Sequence, residues 1–336
     1  MDGVTDHPFR HITKKYGRPG VVFTEFTSVE GLGHGAIRLL EDFLYDESQR
    51  PIVAQIYGTS PDYFYQTGLL LCALGFDGID INMGCPAKTV AHHGAGAALI
   101  KTPELAQAIV RATQKAVLDW HNGIDIYQEP NIDQEILTKV RERHQQLPQE
   151  YQARDRVIPV SVKTRVGYDL PAIAEWIPAL LETEPAVISI HGRTLKQGYS
   201  GEANWQLIAQ AAELIHQTET KLIGNGDVDS YQSALDHIEQ YGVDGVLIGR
   251  GSFGNPFVFL ADDDGTRPSM GEIALEHAKL FDATYNHHPK YHFSPMRKHL
   301  GWYLRDFPNA RQVRIELFQS ESPDDVEKIL SKYHLL

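Results

Sequence analysis

The chain is 336 residues long, carries a net charge of −13, and is 42% hydrophobic and 22% charged, with two cysteines. That length suits one large α/β barrel of about 250 residues plus a smaller unit. The composition is that of a soluble globular protein; it excludes a disulfide scaffold, a signal peptide and a membrane helix of ~18 apolar residues, and points to a reduced, cytoplasmic home.

In chain order, β-rich runs alternate with helical ones, the pattern of parallel βα units. A strand is predicted over 21–26, followed by a helix over 28–40. The next strand, 51–56, leads to a helix that starts at the cap Ser60-Pro61-Asp62 and is stopped by Gly75. A short apolar strand over 79–82 runs into Gly84-Cys85-Pro86, and a helix follows from Thr102-Pro103-Glu104 to about 118. Further strands are predicted at 158–163, 187–191, 222–225 and 246–249, with helices over 171–182 and 205–216 and one capped at Ser230.

These are seven strands, and a closed (β/α)8 TIM barrel needs an eighth. It is expected before Thr5, where only four residues stand, so the first strand is expected to be missing and the chain to start inside the first βα loop. Residues 1–261 are expected to form the barrel, with a polar, solvated insertion at about 119–156 and a short helix over 134–146 inside it. Asp262-Asp263-Asp264-Gly265 reads as a linker. Residues 269–336 show four helical periods, 273–285, 295–306, 310–317 and 323–333, and form a small helical domain.

The negative charge argues against a polyanionic partner, but its distribution is uneven. Between 287 and 314 stand Lys290, Arg297, Lys298, Arg305, Arg311 and Arg314 against one acid, Asp306, with Tyr291, Trp302 and Tyr303 among them. A basic, aromatic face on an acidic body is compatible with RNA.

Catalytic groups of such barrels sit at the C-terminal ends of strands. There the sequence places Gln55, Asn82, Cys85, Lys163, Arg165, His191, Arg193, Asn225, Asp227 and Arg250. One such residue would be an ordinary satisfied core polar group. A run of consecutive strands all ending this way describes a mouth built for a polar ligand. Gly224-Asn225-Gly226-Asp227 and Gly249-Arg250-Gly251 occupy the usual phosphate-binding loops, with a short helix expected over 251–259 and Arg250 completing an anion clamp. No dinucleotide fingerprint or Walker loop is present, which favours a bound mononucleotide. No His-x-x-x-His or Cys-x-x-Cys pair stands in a metal-binding context, so no metal is expected; His92 and His93 are read as loop neighbours that point apart and touch ligand or solvent. Cys72, in a leucine-rich helix, reads as a packing thiol, whereas Cys85, between glycine and proline with Lys88 nearby, reads as reactive.

Asp2-Gly3-Val4-Thr5-Asp6, Asp80-Ile81-Asn82-Met83-Gly84-Cys85-Pro86-Ala87-Lys88, Gly94-Ala95-Gly96, Lys163-Thr164-Arg165, His191-Gly192-Arg193-Thr194 and Gly224-Asn225-Gly226-Asp227 resemble, in order, the motifs of the tRNA-dihydrouridine synthase family. The stretch from Met296 to Tyr303 resembles the helical C-terminal domain of its bacterial members. The resemblance implies an FMN-containing barrel that reduces the C5–C6 double bond of a tRNA uridine with electrons from NADPH or NADH, acting as a monomer on tRNA, with no membrane or metal partner. It implies Cys85 as the general acid that protonates uracil C5 after hydride reaches C6. A thiol near its free pKa of ~8.5 suits that role.

By the same resemblance, Met1, Gln55, Lys163, His191, Asn225, Gly226, Asp227, Gly249 and Arg250 would hold the cofactor. Asn82, Lys88, His93 and Arg165 would position the flipped-out uridine or neighbouring RNA, and Arg297 and Lys298 would grip the tRNA. Family members open with Ala-Pro-Met; here Met1 is the last of the three, the same deletion that barrel closure implies, and weaker FMN binding is expected from it. The rival readings are an FMN oxidoreductase of a free pyrimidine, a tRNA-binding protein with impaired catalysis, and an aldolase using Lys163 as a Schiff base.

Overall fold

A computed structural model of the chain describes residues 1–261, 266–305 and 307–336. After an opening turn comes α1 (His7–Gly17), whose first turn is capped by Asp6 accepting from the Phe9 amide. Seven strands follow: β1 (Val22–Ser28), β2 (Ile52–Tyr57), β3 (Gly78–Met83), β4 (Val160–Arg165), β5 (Val187–His191), β6 (Lys221–Asn225) and β7 (Gly245–Leu247). They are parallel and lie side by side in sequence order, a TIM-barrel-type array with helices on its outer face. The seven strands expected are the seven present among the described residues, and β1 and β7 form the two ends of the array.

The crossovers carry α2 (Val29–Gly33), α3 (Pro61–Ala73), α4 (Lys88–His92), α5 (Pro103–His121), α6 (Gln134–Gln146), α7 (Gln149–Gln152), α8 (Ile173–Leu181), α9 (Trp205–Ile215) and α10 (Tyr231–Tyr241). Ser60 and Ser230 cap α3 and α10 as their positions suggest, accepting from the Tyr63 and Ser233 amides. Every residue of β3 is buried, because helices cover one face and the barrel interior the other.

Two expected helices are corrected. The helix over 28–40 is only α2, followed by a 3-10 turn over Ile37–Phe43. Gly31, Gly33 and Gly35 weaken the segment, and Gly35 adopts φ +80°, which ends any α-helix. The helix over 251–259 is two 3-10 turns, Arg250–Ser252 and Pro256–Phe259, separated at Gly254, which has φ +69°. The segment at 119–156 is also less solvated than expected. Ile136, Leu137 and Val140 of α6 are buried in the barrel's core, and Arg143 donates to the Phe43 carbonyl at 2.5 Å.

The expected linker at 262–265 lies outside the described residues. Beyond it, α11 (Met270–Tyr285), α12 (Ser294–Tyr303), α13 (Ala310–Leu317) and α14 (Pro323–Lys332) surround a second core. Ser269 and Glu272 form a reciprocal capping box that starts α11. Ile12 of α1 and Phe257 belong to that second core, so the helices are joined to the barrel by apolar burial. Ile12 is fully buried, which contributes about 2 kcal/mol. Among the described residues, no helix is long and apolar enough to cross a membrane.

Candidate active site

The parallel register stacks the polar strand ends in rows. Gln55 faces Asp80, Asp80 faces Ser161, Asn82 faces Lys163, and His191 faces Asn225. On β3, alternation sends Asp80 and Asn82 to one side and Ile79, Ile81 and Met83 to the other. Gln55, Asn82, Cys85 and His191 each keep only 7–8% exposure, so they sit just at the mouth.

A chain of hydrogen bonds joins the first of these. Ser161 Oγ donates to Asp80 Oδ1 at 2.6 Å, and Gln55 Nε2 donates to Asp80 Oδ2 at 2.7 Å. Asn82 Nδ2 donates to Gln55 Oε1 at 3.0 Å, and Asn82 Oδ1 accepts from the Gly84 and Cys85 amides at 3.1 and 2.9 Å. Cys85 is thereby held at the strand end, and its thiol lies in a small apolar cluster with Val90 and Ala95, walled by Phe26 and Tyr57. The two aromatic rings meet edge-on at 5.1 Å. Burial, above all, pushes the Cys85 thiol up from its ordinary value. Cys72 is pushed by burial to about 12 and packs in the core as expected of it.

Lys163 Nζ donates to Asn225 Oδ1 at 3.0 Å, and Asn225 Nδ2 donates to the Leu247 carbonyl at 2.9 Å. Burial, followed by the Arg165 charge, lowers the Lys163 ammonium to about 8, with Asp80 opposing. It is therefore still a cation at neutral pH. Burial and then the Lys163, Arg165 and Arg193 charges drive His191 far below its usual range, so it is neutral.

Asp227, at φ +57°, anchors two guanidinium groups. Arg193 donates to Oδ2 at 2.6 Å and Arg250 to Oδ1 at 3.0 Å, while the Ala203 amide donates to Oδ2 at 2.8 Å. Although burial opposes ionisation, these hydrogen bonds and charges hold the carboxyl below the usual carboxylate range. Arg193 Nε is buried without a hydrogen-bond partner among the described residues. Gly226 has φ +132°, and a Cβ there would lie 2.5 Å from Ala203 Cβ and 3.1 Å from His191 Cδ2. Gly224 has a different cause: a Cβ would stand 2.3 Å from the Trp205 ring. A Cβ on Gly249 would meet Met1 Sδ at 3.5 Å, which brings Met1 to the same loop.

Other expected contacts fall elsewhere. Arg165 is 3% exposed and donates to the carbonyls of Gly84, Thr194 and Gly198, bracing the Cys85 loop from behind. Arg297 donates to the Ser320 carbonyl at 2.9 Å, and Lys298 donates to the Gly3 carbonyl. His92 and His93 do not diverge; their rings lie 5.7 Å apart, edge to face. His93 is exposed at the end of α4, whose short turn fixes that approach. The side chain of Lys88 lies outside the described residues. Among those residues no cluster of three or more His, Cys, Asp or Glu is disposed to hold a metal.

Sequence reasoning missed Glu25. A register shift in β1 between Phe23 and Phe26 turns it toward the opening turn, where its carboxylate accepts from the Val4 amide at 2.8 Å. It also missed a cavity of about 710 Å³ on the C-terminal helices, lined by Lys298, Trp302, Arg305, Arg311, Arg314 and Phe318. Its cations and Trp302 stand in the basic segment, Lys298 being expected to grip the tRNA, but nothing local in the sequence brings Phe318 to them. Trp302 stacks on Phe253 at 4.2 Å and 16°, so the cavity adjoins the loop that carries Arg250.

The sequence model of the family described as dihydrouridine synthase (Dus) matches residues 1–122 and 136–335. The chain belongs to the dihydrouridine synthase family. It is 33% identical to the "Probable tRNA-dihydrouridine synthase 2" of Bacillus subtilis, over 99% of this chain and 92% of that protein. It is 32% identical to a "Probable tRNA-dihydrouridine synthase" of Staphylococcus aureus (strain COL), over 99% and 91%. Among solved structures, DHODH of Eimeria tenella in complex with ferulenol is similar with a TM-score of 0.42 and 13% identity, over 69% of this chain and 59% of that one. The unmatched stretch of this chain, 123–135, falls inside the predicted insertion; α6 lies almost wholly within the family match.

Proposed function

We propose that this protein reduces the C5–C6 double bond of a uridine in tRNA to dihydrouridine, with FMN as resident cofactor, NADPH or NADH as reductant and Cys85 as proton donor. The observation that carries the reading is Cys85: a thiol locked by its backbone to Asn82 and set between aromatic walls at the barrel mouth. Membership of the family and the names of its relatives supply the substrate class.

The residues fit an FMN. Lys163 offers a buried cation beside Asn225, Arg193 Nε offers a buried donor that lacks a partner among the described residues, and Arg250 stands half-exposed on the phosphate-type loop. Gln55, His191, Gly226, Gly249 and Met1 surround the same space, whereas Asp227 acts through Arg193 and Arg250. The chemistry the cofactor supplies when bound is hydride donation to uracil C6. Lys163 then provides positive charge in a water-poor site, where it acts more strongly than in solvent. Cys85 delivers its proton to C5, and the raised pKa keeps that proton available at neutral pH. Gln55, Asn82 and Arg165 hold the loop so that the sulfur does not drift.

A base must leave its stack to reach this thiol, and the exposed His93 on the loop that follows Cys85 would meet it or the neighbouring RNA. Further RNA would meet the helical cavity, where Arg305, Arg311 and Arg314 carry no ion pair among the described residues, and Trp302 offers a ring for stacking. The test is direct. Purified protein should be yellow, bleach with NADPH, and restore a dihydrouridine to tRNA from a strain lacking the gene. A colourless protein that only binds tRNA, or reduction of free uracil derivatives without tRNA, overturns the reading.

A further inference from the structure

Asp80 is fully buried and is placed by strand alternation one layer beneath Asn82. Both its oxygens accept hydrogen bonds, one from Ser161 and one from Gln55. The other end of the chain is equally restrictive, since the Gly84 and Cys85 amides are donors and require an acceptor. Between these ends stand two primary amides, each of which has a donating and an accepting side. A carboxylate at one end and two N–H groups at the other leave one consistent arrangement. Flipping the amides would set Gln55 Oε1 against the Asp80 carboxylate and Asn82 Nδ2 against two backbone donors. In a buried site such mismatches cost the full desolvation of each group.

We infer that Asp80 is a positioning residue, whose carboxylate sets the orientation of the Gln55 and Asn82 amides and so fixes the backbone that presents Cys85. Asn82 is then a holder of the loop: its oxygen is occupied by two amides and one of its N–H groups by Gln55. The inference rests on the proposed role of Cys85 only for its activity readout.

The relay can be run in reverse. Asn82→Asp places a carboxylate that cannot donate to Gln55 Oε1, two residues from Asp80 and in register with Lys163. Hydrogen exchange of the Gly84 and Cys85 amides, read from the peptide spanning 83–90, should quicken about tenfold, and dihydrouridine formation should fall by at least as much. Both, read as ratios to the parent at the same pH, should recover on acidification, because a neutral acid at position 82 can again donate to Gln55. The double variant D80N/N82D reverses the two bonds that Gln55 makes and leaves Ser161 donating to position 80. The new amide at position 80 donates to Gln55 Oε1, and Gln55 Nε2 donates to the new carboxylate at position 82, which still accepts from both backbone amides. It should return exchange to within about threefold of the parent, without the pH dependence. A double variant that exchanges as fast as N82D, or an N82D that exchanges like the parent, overturns the relay. Where N82D fails to fold, recovery of folded protein by the double variant supports the relay and an unfolded double variant overturns it. If the parent makes no dihydrouridine, the proposed function falls while the exchange comparison still decides the role of Asp80.

Discussion

The barrel mouth and the cavity on the C-terminal helices are both rich in charge, but they hold it in opposite ways. In the mouth, Asp80 is answered by Ser161 and Gln55, and Asp227 by Arg193 and Arg250. In the cavity, Arg305, Arg311 and Arg314 have no such answer among the described residues. Asp80 and Arg193 are buried, and buried, paired groups are hardly screened by salt and hold one geometry, which on the proposed reading suits a reaction that must place a proton on one carbon. Exposed, unpaired cations are screened and adaptable, which suits contact with a polymer of phosphates. On the proposed reading the molecule separates rigid chemistry from tolerant grip, and the loop from Arg250 to Phe253 joins the two regions through Trp302.

The largest effect should come from the mouth. On the proposed reading, Cys85→Ala removes the general acid and should slow dihydrouridine formation by about 10² to 10⁴-fold. Flavin reduction by NADPH, followed by absorbance, should persist; a variant that modifies tRNA at the parental rate would sink the assignment. Next is the ion cluster. Asp227→Ala leaves Arg193, whose side chain is 3% exposed, without its carboxylate, and should destabilise the fold by about 3 kcal/mol in urea unfolding. Asp227→Asn should cost less, because its amide oxygen still accepts. Equal losses would mean that the charge of Asp227, and not the accepting oxygen that Asn retains, carries the whole effect.

On the helical side the effect should be smaller and visible mainly through salt. Replacing Arg305, Arg311 and Arg314 together by Gln should flatten the dependence of log affinity for tRNA on log salt by about two units, roughly 0.7 to 0.9 for each phosphate no longer neutralised. Flavin reduction should be untouched. An unchanged slope would show that the cavity does not face phosphate.

Much of this was legible in the sequence for physical reasons. Buried parallel strands are short apolar runs, and Ser60-Pro61 or Ser230 before a helix is a local signal that needs no tertiary context. Polar residues that end such strands, Gln55, Asn82, Lys163 and His191, converge because strand ends of a barrel converge. What was hidden depends on contacts distant in sequence. Glu25 reaches the Val4 amide only through a register shift in β1, and Gly224 is small because Trp205 lies over it. Asp227 resembled a ligand-binding residue by position, yet its two oxygens are taken by Arg193, Arg250 and the Ala203 amide. The turn over 251–259 looked helical until Gly254 took a positive φ.

The smallest predicted effect concerns the seam between the two regions. His277 of α11 is fully buried, its Nδ1 shares a hydrogen with the Tyr303 hydroxyl at 3.0 Å, and its ring lies 4.9 Å from that of His299 and 6.3 Å from Phe9 of α1. Burial, then the charge of His11, lowers His277 to about 3, and His299 is lowered as well. A lowered folded value means that below the unfolded value, about 6.5, the unfolded chain takes up a proton that the folded chain refuses. Stability from this group is therefore complete above about pH 6.5 and declines by about 1.4 kcal/mol per pH unit as acid is added. Asp6, raised to about 7 by burial and by Glu25, works in the other direction over the same interval. The parent curve is thus a difference, and only a substitution isolates one contribution. His277→Gln should lose less stability than the parent between about pH 6.5 and about pH 5, by roughly 2 kcal/mol in urea unfolding. Parallel curves would mean that His277 titrates alike in both states, and that the buried seam between barrel and helices opens before the molecule unfolds.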